Sequence, residues 1–496
     1  MHTVLDFIEF DRLDTAVAIR RWRERAAPHP GVARWVAYAV GNVLAAETKI
    51  EGIPAGLVPV SRWWARQRPT ASERPGMYEE TVHGRRYETG DGVREIRLLR
   101  PRSVDDRSTG TQPGGEPVGD RRRADQREVD LREVAFAAGV VAGASPVLTN
   151  PWSSREYRLG RFEPPRRVRV VEVGCLDGSA RVLFDDTRQE AIERYKAVVE
   201  EPLTTVTAGG DHRPGYDCVR CVLVDCCPAV PSMPGLLGVS ASTEPRRTWS
   251  VSTGADNAAC PARAYFRSLF LPGDRSVEET PATRRGRAVH HWIEQRHRAI
   301  PHRGCRAPDV PGSTRSWTSG GWSVEGKEAR LGVQMIGDHS LICPIRGLTD
   351  EATLLPEHLI VVFDPEANAL VVAKADLLYR DTAGWTLRET KSRRAPGHPG
   401  FTTFPQLALA VLLSAGDVYA EHGTRLRVEL ERLTSTGPIL TGVEVDDPAV
   451  RARAQRKVTS LAEGWFADTD YPTKPGKACR DCPFTRWCPD ARTEPS

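Results

Sequence analysis

Long apolar runs are missing from this sequence. The longest lie around Val134–Ala144 and Leu407–Leu413, well short of the roughly 18 residues that cross a bilayer, so no membrane span is expected. The opening stretch MHTVLDFIEFDRLD has no basic segment followed by an apolar one, which argues against a secretory signal. A soluble cytoplasmic protein is the expectation. A Walker motif, G-x4-G-K-[S/T], is also missing, so any helicase motor has to come from another chain. Charge of one sign is in small excess: 69 Lys and Arg face 65 Asp and Glu, a net +4. That balance permits a nucleic-acid partner without demanding one.

What is present is ordinary globular composition, with 40% hydrophobic and 27% charged residues over 496 positions. The length suffices for two domains with cores of their own. The eleven cysteines are clustered rather than scattered. In a reducing compartment such clusters point to metal rather than to disulfides. Near the C-terminus, KPGKACRDCPFTRWCPDAR places Cys479, Cys482 and Cys488 at C-x2-C-x5-C spacing. Three thiols leave a four-ligand site one short.

A second trio repeats the first: Cys218, Cys221 and Cys227 share the spacing, with Cys226 extra. The likeness extends upstream. RRVRVVEVGCLDGSARVLFDDTRQEAIERYKAVV resembles TRLRVELERLTSTGPILTGVEVDDPAVRARAQRKV. VREIRLLR resembles TLRETKSRR, and the small-residue helix REVAFAAGVVAGA resembles PQLALAVLLSAG. An internal duplication follows: residues 1–240 and 241–496 each run strands, helix, hairpin, charged helix and a cysteine-rich end. The boundary is expected in the Pro/Gly/Ser-rich stretch 228–247. Polar loops are expected at 101–128 and 301–321.

In the second half, LIVVFDPEANALVVAKADLLYRDTAGWTLRETKS reads as three strands, near 359–363, 369–379 and 385–391, joined by the turns DPEAN and DTAG. With 381–384 as the hairpin loop, Arg380 opposes Trp385 and Asp376 opposes Glu389. Opposed residues share a face about 5 Å apart at Cβ, and Lys391, two residues on, shares it. Two carboxylates so placed repel unless a cation sits between them, and oxygen donors suit Mg²⁺ or Mn²⁺. Such a metal activates water at a phosphodiester, and a lysine neutralises the developing charge. A surface hairpin carrying an ordinary salt bridge is the plainer alternative. Upstream, Cys260 opens a helical segment, and RRGRAVHHWIEQRHR places His290 and Glu294 on one helical face, with His291 as a competing histidine. Downstream, FPQLALAVLLSAG is an apolar helix with Gln406 near its start.

The order cysteine, G-x-x-x-H, D…E-x-K, glutamine helix, C-x2-C-x5-C resembles the RecB-like branch of the PD-(D/E)XK nucleases that carry an iron–sulfur cluster. That branch includes the nuclease domain of the B subunit of AddAB-type helicase–nucleases and the CRISPR-associated RecB-like exonucleases. The resemblance covers about residues 248–490. It implies an α/β fold of two tandem restriction-endonuclease-like domains, each a mixed sheet flanked by helices. It implies that Cys260 joins Cys479, Cys482 and Cys488 around a [4Fe–4S] cluster, although C-x2-C suits zinc as well. His290, Asp376 and Glu389 resemble the family's metal ligands, with the Thr390 carbonyl a further candidate. Lys391 resembles its catalytic lysine, and Gln406 the glutamine that contacts substrate or braces that lysine. The chain departs from the family at Ala375, often glycine, and at Ala410, often tyrosine. Cys305 and Cys343 read as plain thiols.

In the first half, aligning REIR on RETK sets Glu95 on Glu389 and Arg97 on Lys391. An always-charged guanidinium does not replace a compact ammonium. No aspartate stands 13 residues before Glu95; Thr81 and Val82 occupy that place, with Glu80 nearby. The expectation is a nuclease-like domain without a working site. Its trio is a relic, or a zinc site completed by Cys226, Cys175 or His212, or a partner of Cys260. Basic stretches such as EPPRRVRV and GDRRRADQR offer phosphate contacts. The implied function is a metal-dependent DNA nuclease, an exonuclease on ends or single strands, partnered by a helicase or another repair or defence protein. The alternative is a non-catalytic DNA-end-binding or scaffold subunit.

Overall fold

The computed structural model describes residues 1–70, 76–101, 121–148, 158–209, 212–240, 245–273, 280–299, 304–348, 352–395, 397–398, 400–420 and 423–491, with only the backbone of 121–130. Two compact units emerge. One is Met1–His212 with Phe270–Gly273 and Trp487–Pro489; the other is Arg213–Leu269, Asp274–Arg486 and Asp490–Ser496. Both are mixed α/β.

The first unit opens with helices α1 (His2–Glu9), α2 (Thr15–Ala26) and α3 (Pro30–Ala46). Strands β1 (Val58–Pro59), β2 (Trp64–Pro69), β3 (Met77–Thr81), β4 (Arg85–Glu88) and β5 (Val93–Arg100) follow. Then come α4 (Arg121–Gly143), β6 (Ser145–Pro146), β7 (Arg167–Gly174), β8 (Ala180–Thr187), α5 (Arg188–Val198) and α6 (Glu200–Ala208). The main sheet runs β1-β4-β5-β7-β8, and β3-β2-β6 form a smaller one. In the main sheet β4–β5 is antiparallel, β5–β7 parallel and β7–β8 antiparallel. Small residues of α4, such as Ala137, Ala138 and Ala142, pack on Ile96, Val168 and Val170. Of the expected loop 101–128, residues 102–120 lie outside the described residues, as do the side chains of most of GDRRRADQR. From Arg121 onward the backbone is helical instead, so α4 starts more than three turns before the apolar stretch that marks it in the sequence.

The second unit holds β9 (Arg247–Trp249), α7 (Val251–Ala259), α8 (Pro261–Ser268), α9 (Pro281–Arg298), β10 (Ser316–Ser319), β11 (Trp322–Glu325) and α10 (Gly326–Ile342). It continues with β12 (Thr353–Asp364), β13 (Ala369–Asp381), β14 (Gly384–Ser392), α11 (Pro405–Ala415), β15 (Arg427–Thr434), β16 (Gly437–Val443) and α12 (Pro448–Ala467). The stretch 301–321, expected as loop, contains β10, which pairs with β11 as a hairpin. The sheet runs β12-β13-β14-β15-β16, with β9 parallel beside β13. Its steps repeat the first unit's plan: β13–β14 antiparallel, β14–β15 parallel, β15–β16 antiparallel.

Two-residue alternation sorts the β12–β13 side chains to two faces. Ile360, Val362, Ala369 and Val371 join the core under α11 and α12. Val361, Phe363, Leu370 and Val372 face the other way and are covered by Val224, Val230 and the Cys218–Cys227 segment. The sequence reading ends the first domain at 240. In the structure residues 213–240 pack with the second unit, because the outer face of this hairpin needs an apolar cover. Each fully buried aliphatic chain there stabilises by roughly 1.5–3 kcal/mol.

Candidate active site

The β13–β14 hairpin fixes the site. Arg380 pairs with Trp385 as the sequence implies, but Asp381 also pairs with Gly384, so two residues close the turn rather than four. Gly384 adopts φ +101°, a conformation open to glycine. Continuing the register past Leu377–Arg388 sets Asp376 level with Glu389. There the Asp376 carboxylate accepts the Thr390 backbone N–H at 2.7 Å.

The site residues converge at this point. Lys391 Nζ forms an ion pair with Glu389 and lies 3.8 Å from Asp376 Oδ2. His290 Nδ1, from α9, stands 3.9 Å from Asp376 Oδ1. The G-x-x-x-H spacing has a packing reason. A Cβ on Gly286 would sit 3.3 Å from Ser392 Oγ, so the glycine lets α9 approach β14 closely enough to present His290 one turn later. His291 points elsewhere, with Nδ1 2.8 Å from Ser319 Oγ of β10. Gln406 is half-buried in the first turn of α11, and among the described residues no hydrogen bond joins it to this cluster.

The electrostatics fit a cation. Burial pushes the Glu389 carboxyl up to about 7, Asp376 adds to this, and Lys391 opposes it. Burial works against the Lys391 ammonium, yet Glu389 and Asp376 outweigh it and hold its pKa above the usual range. Burial keeps the His290 imidazole neutral, against the pull of Asp376. One ammonium between two carboxylates leaves the cluster short of positive charge. The donor set of carboxylate oxygens and a neutral imidazole therefore suits a divalent cation.

A third carboxylate escapes sequence reasoning. Pro356 pairs with Leu377 and His358 with Ala375, which sets Glu357 level with Asp376 across the edge strand β12. Its backbone is left-handed (φ +55°) and its side chain is paired with Lys374. Its charge acts on both His290 and Glu389. Pro356 inside a strand is the signal for such an irregularity. Glu431 of β15 was missed as well. It is fully buried, accepts from Thr390 Oγ1 at 3.3 Å, and lies 2.6 Å from His339 Nδ1.

The cysteines are distributed differently. Cys260 caps α8, and its sulfur accepts the Lys474 N–H at 3.4 Å. The Cys479 sulfur accepts the Gly476 N–H at 3.4 Å. Burial raises the Cys482 thiol pKa, and Cys260 and Cys479 raise it further, so these three are neighbours. Cys488 falls in the short segment grouped with the first unit, where its carbonyl accepts from Arg34 at 2.7 Å. Cys218 repeats the local geometry of Cys479, accepting the Gly215 N–H at 3.4 Å. Cys175 is buried in the first unit, with burial pushing its thiol up to about 12.

In the first unit, Tyr87 on β4 opposes Glu95. The residue level with Glu95 is thus a tyrosine, only eight residues upstream because Glu95 lies closer to the start of β5 than Glu389 does to the start of β14. Glu80 lies on β3 in the smaller sheet and pairs with Arg66. Glu95 is fully buried between two guanidiniums: Arg97 Nε donates at 2.7 Å and Arg169 Nε at 2.9 Å.

Residues 248–489 match the family model of the PD-(D/E)XK nuclease superfamily. The matched stretch lies mostly within the second unit. A solved structure described as "Crystal structure of SSO0001" is similar at 14% identity and a TM-score of 0.25, covering 51% of this chain and 90% of that one. No curated protein matches the chain. Among the described residues, no helix is long and apolar enough to cross a membrane.

Proposed function

We propose that the second unit hydrolyses DNA phosphodiester bonds as a metal-dependent nuclease, acting as an exonuclease on ends or single strands. One observation carries the reading: His290, Asp376, Glu389 and Lys391 converge from α9, β13 and β14 on a single half-buried, charge-deficient point. Asp376 and Glu389, with His290 and the Thr390 carbonyl, would hold Mg²⁺ or Mn²⁺. When bound, that cation supplies an activated water and stabilises charge on the scissile phosphate. Lys391, held protonated by both carboxylates, orients the water or neutralises developing charge. Gln406, at the start of α11, is read as a substrate contact. The cysteine quartet of the sequence pattern is read as holding a [4Fe–4S] cluster of structural role. A helicase or another repair or defence protein supplies unwound ends.

The first unit supports a complementary reading as a nuclease-like module without a site. Glu95 is locked by Arg97 and Arg169, and a tyrosine stands where the second unit has Asp376. Guanidiniums fill the space a cation would need.

The test is degradation of end-labelled single- and double-stranded DNA with Mg²⁺ or Mn²⁺, wild type against Lys391→Ala. Metal-dependent cleavage reduced at least ~100-fold in the variant is the expected result, in the range of lost electrostatic stabilisation. Equal traces from both proteins refute autonomous nuclease activity and leave the scaffold reading.

A further inference from the structure

A second group of ligating side chains, distinct from the Asp376–Glu389 pair, lies in the same unit. His297, Cys305, His339 and Cys343 each offer one donor atom, and these atoms lie within 4.8 Å of one another. Among the described residues no other group of this kind is found. All four are buried: His297 at 3% exposure, Cys305 at 0%, His339 at 0% and Cys343 at 5%. They come from three places in the chain. His297 is in the last turn of α9, Cys305 in the loop after it, and His339 and Cys343 lie one helical turn apart at the end of α10. The surroundings are apolar, with Ile345 in the core cluster and Trp292, Leu348 and Leu354 packed on it.

We propose that these four residues bind one zinc ion in a closed, structural site. The spacing argues for it quantitatively. Tetrahedral zinc with Zn–N about 2.05 Å and Zn–S about 2.3 Å sets its ligands about 3.3 Å apart between two nitrogens and about 3.6 Å between nitrogen and sulfur. His297 Nε2 and His339 Nε2 are 3.2 Å apart, and Cys343 Sγ and His297 Nε2 are 3.6 Å apart. The tetrahedral S2N2 donor set selects zinc among common ions. The outer shell fits too. His339 directs Nδ1 at Glu431, 2.6 Å away, which leaves Nε2 for the metal; ligating histidines ordinarily carry such a carboxylate partner.

Two other arrangements account for less. A Cys305–Cys343 disulfide would leave two buried imidazole nitrogens facing each other, and both thiols are free. Plain core packing leaves the two imidazoles and two thiols to pair with one another in an apolar pocket, and gives no reason for four ligand atoms to converge within 4.8 Å. The sequence reading of Cys305 and Cys343 as simple thiols gives way here, because it did not bring the two histidines beside them.

The site has a job that does not depend on the nuclease reading. It ties the end of α9 to the end of α10. Seven residues before His297 on α9 stands His290. From His339 the hydrogen bonds run through Glu431 to Thr390, between Glu389 and Lys391 on β14. The ion would brace α9 and β14, two of the three elements that carry the carboxylate site, while touching no substrate.

Two measurements on the full chain test this. Elemental analysis of wild type is compared with the Cys305→Ser, Cys343→Ser double variant and with Cys479→Ser, Cys482→Ser, Cys488→Ser. The expected result is about one zinc fewer per chain in the double variant only, with a lower melting temperature. Zinc content unchanged by the double substitution overturns the proposal. Should that variant fail to fold, diffraction at the zinc absorption edge from wild-type crystals decides the matter. An anomalous peak among the four side chains is expected; its absence, or a disulfide there, overturns the assignment.

Discussion

Acidification is expected to weaken divalent-cation binding at the carboxylate site by about tenfold between pH 8 and pH 6. The cause is Glu389. Burial, reinforced by Asp376, pushes its carboxyl up to about 7 in the protein without metal. A metal takes the ionised form, so below that value binding must first expel a proton. For one such group the apparent affinity changes about tenfold from pH 8 to pH 6. Titration calorimetry with Ca²⁺ or Mg²⁺, in buffers of different ionisation enthalpy, reads both quantities. Close to one proton should be released per metal at pH 6 and few at pH 8. Asp376→Asn removes one of the charges that raise Glu389, so the midpoint of its proton release should move to lower pH. Glu389→Gln should abolish the linkage. An affinity flat from pH 6 to pH 8, without proton release, would refute the argument that this buried carboxyl is short of positive charge.

The same group predicts how stability depends on pH. Its folded value, about 7, lies above its ordinary 4.5, so between those values the folded state binds more protons. Stability of metal-free protein should therefore fall as pH rises through that window, by up to ~3 kcal/mol relative to Glu389→Gln, in urea melts at several pH values; a wild-type-minus-variant difference that rises with pH would contradict it. Asp364 is buried and accepts backbone N–H groups from Gly235, Leu237, Glu366 and Ala367. Asp364→Ala orphans all four and should cost ~3 kcal/mol or more, seen as a lower denaturation midpoint. At Gly254 a Cβ would meet Leu461 Cβ and its carbonyl oxygen, both at 2.8 Å. Gly254→Ala should force α7 from α12 and cost ~1–3 kcal/mol; a variant as stable as wild type would show that this helix pair yields freely.

The hairpin was legible because period-2 patterning and a short turn together determine register. Arg380 opposite Trp385 places Asp376 level with Glu389, and Lys391 follows on the same face. His290 was legible through its spacing from Gly286, which has a contact reason in Ser392. Other features depend on contacts that no local pattern encodes. Glu357 enters through an irregular backbone point on an edge strand. The His297–Cys305 and His339–Cys343 pairs lie far apart in the chain, and each mixes histidine with cysteine where the familiar zinc patterns pair like with like. The placement of 213–240 was hidden because a Pro/Gly-rich stretch marks a flexible connection, not which core the preceding segment covers. Tyr87 was overlooked because a fixed count of 13 residues assumes equal hairpin arms, and Glu95 stands two residues past the start of β5 where Glu389 stands five past the start of β14.

The two sheets show what separates a carboxylate that can hold a metal from one that cannot. Both units place a buried glutamate on the strand between an antiparallel neighbour and a parallel one: Glu389 on β14 and Glu95 on β5. Around Glu389 stand a second carboxylate and one flexible ammonium, so charge is left uncompensated. Around Glu95 stand two guanidiniums, each hydrogen-bonded elsewhere as well: Arg97 to Glu47, and Arg169 to the carbonyls of Glu51 and Gly52. Removing one partner of such a buried network strands the remaining charges, which costs far more than an exposed pair is worth. The arginines therefore hold the strands together without a metal and at the same time exclude one. A sheet that neutralises its own buried glutamate in this way keeps its order without a cation.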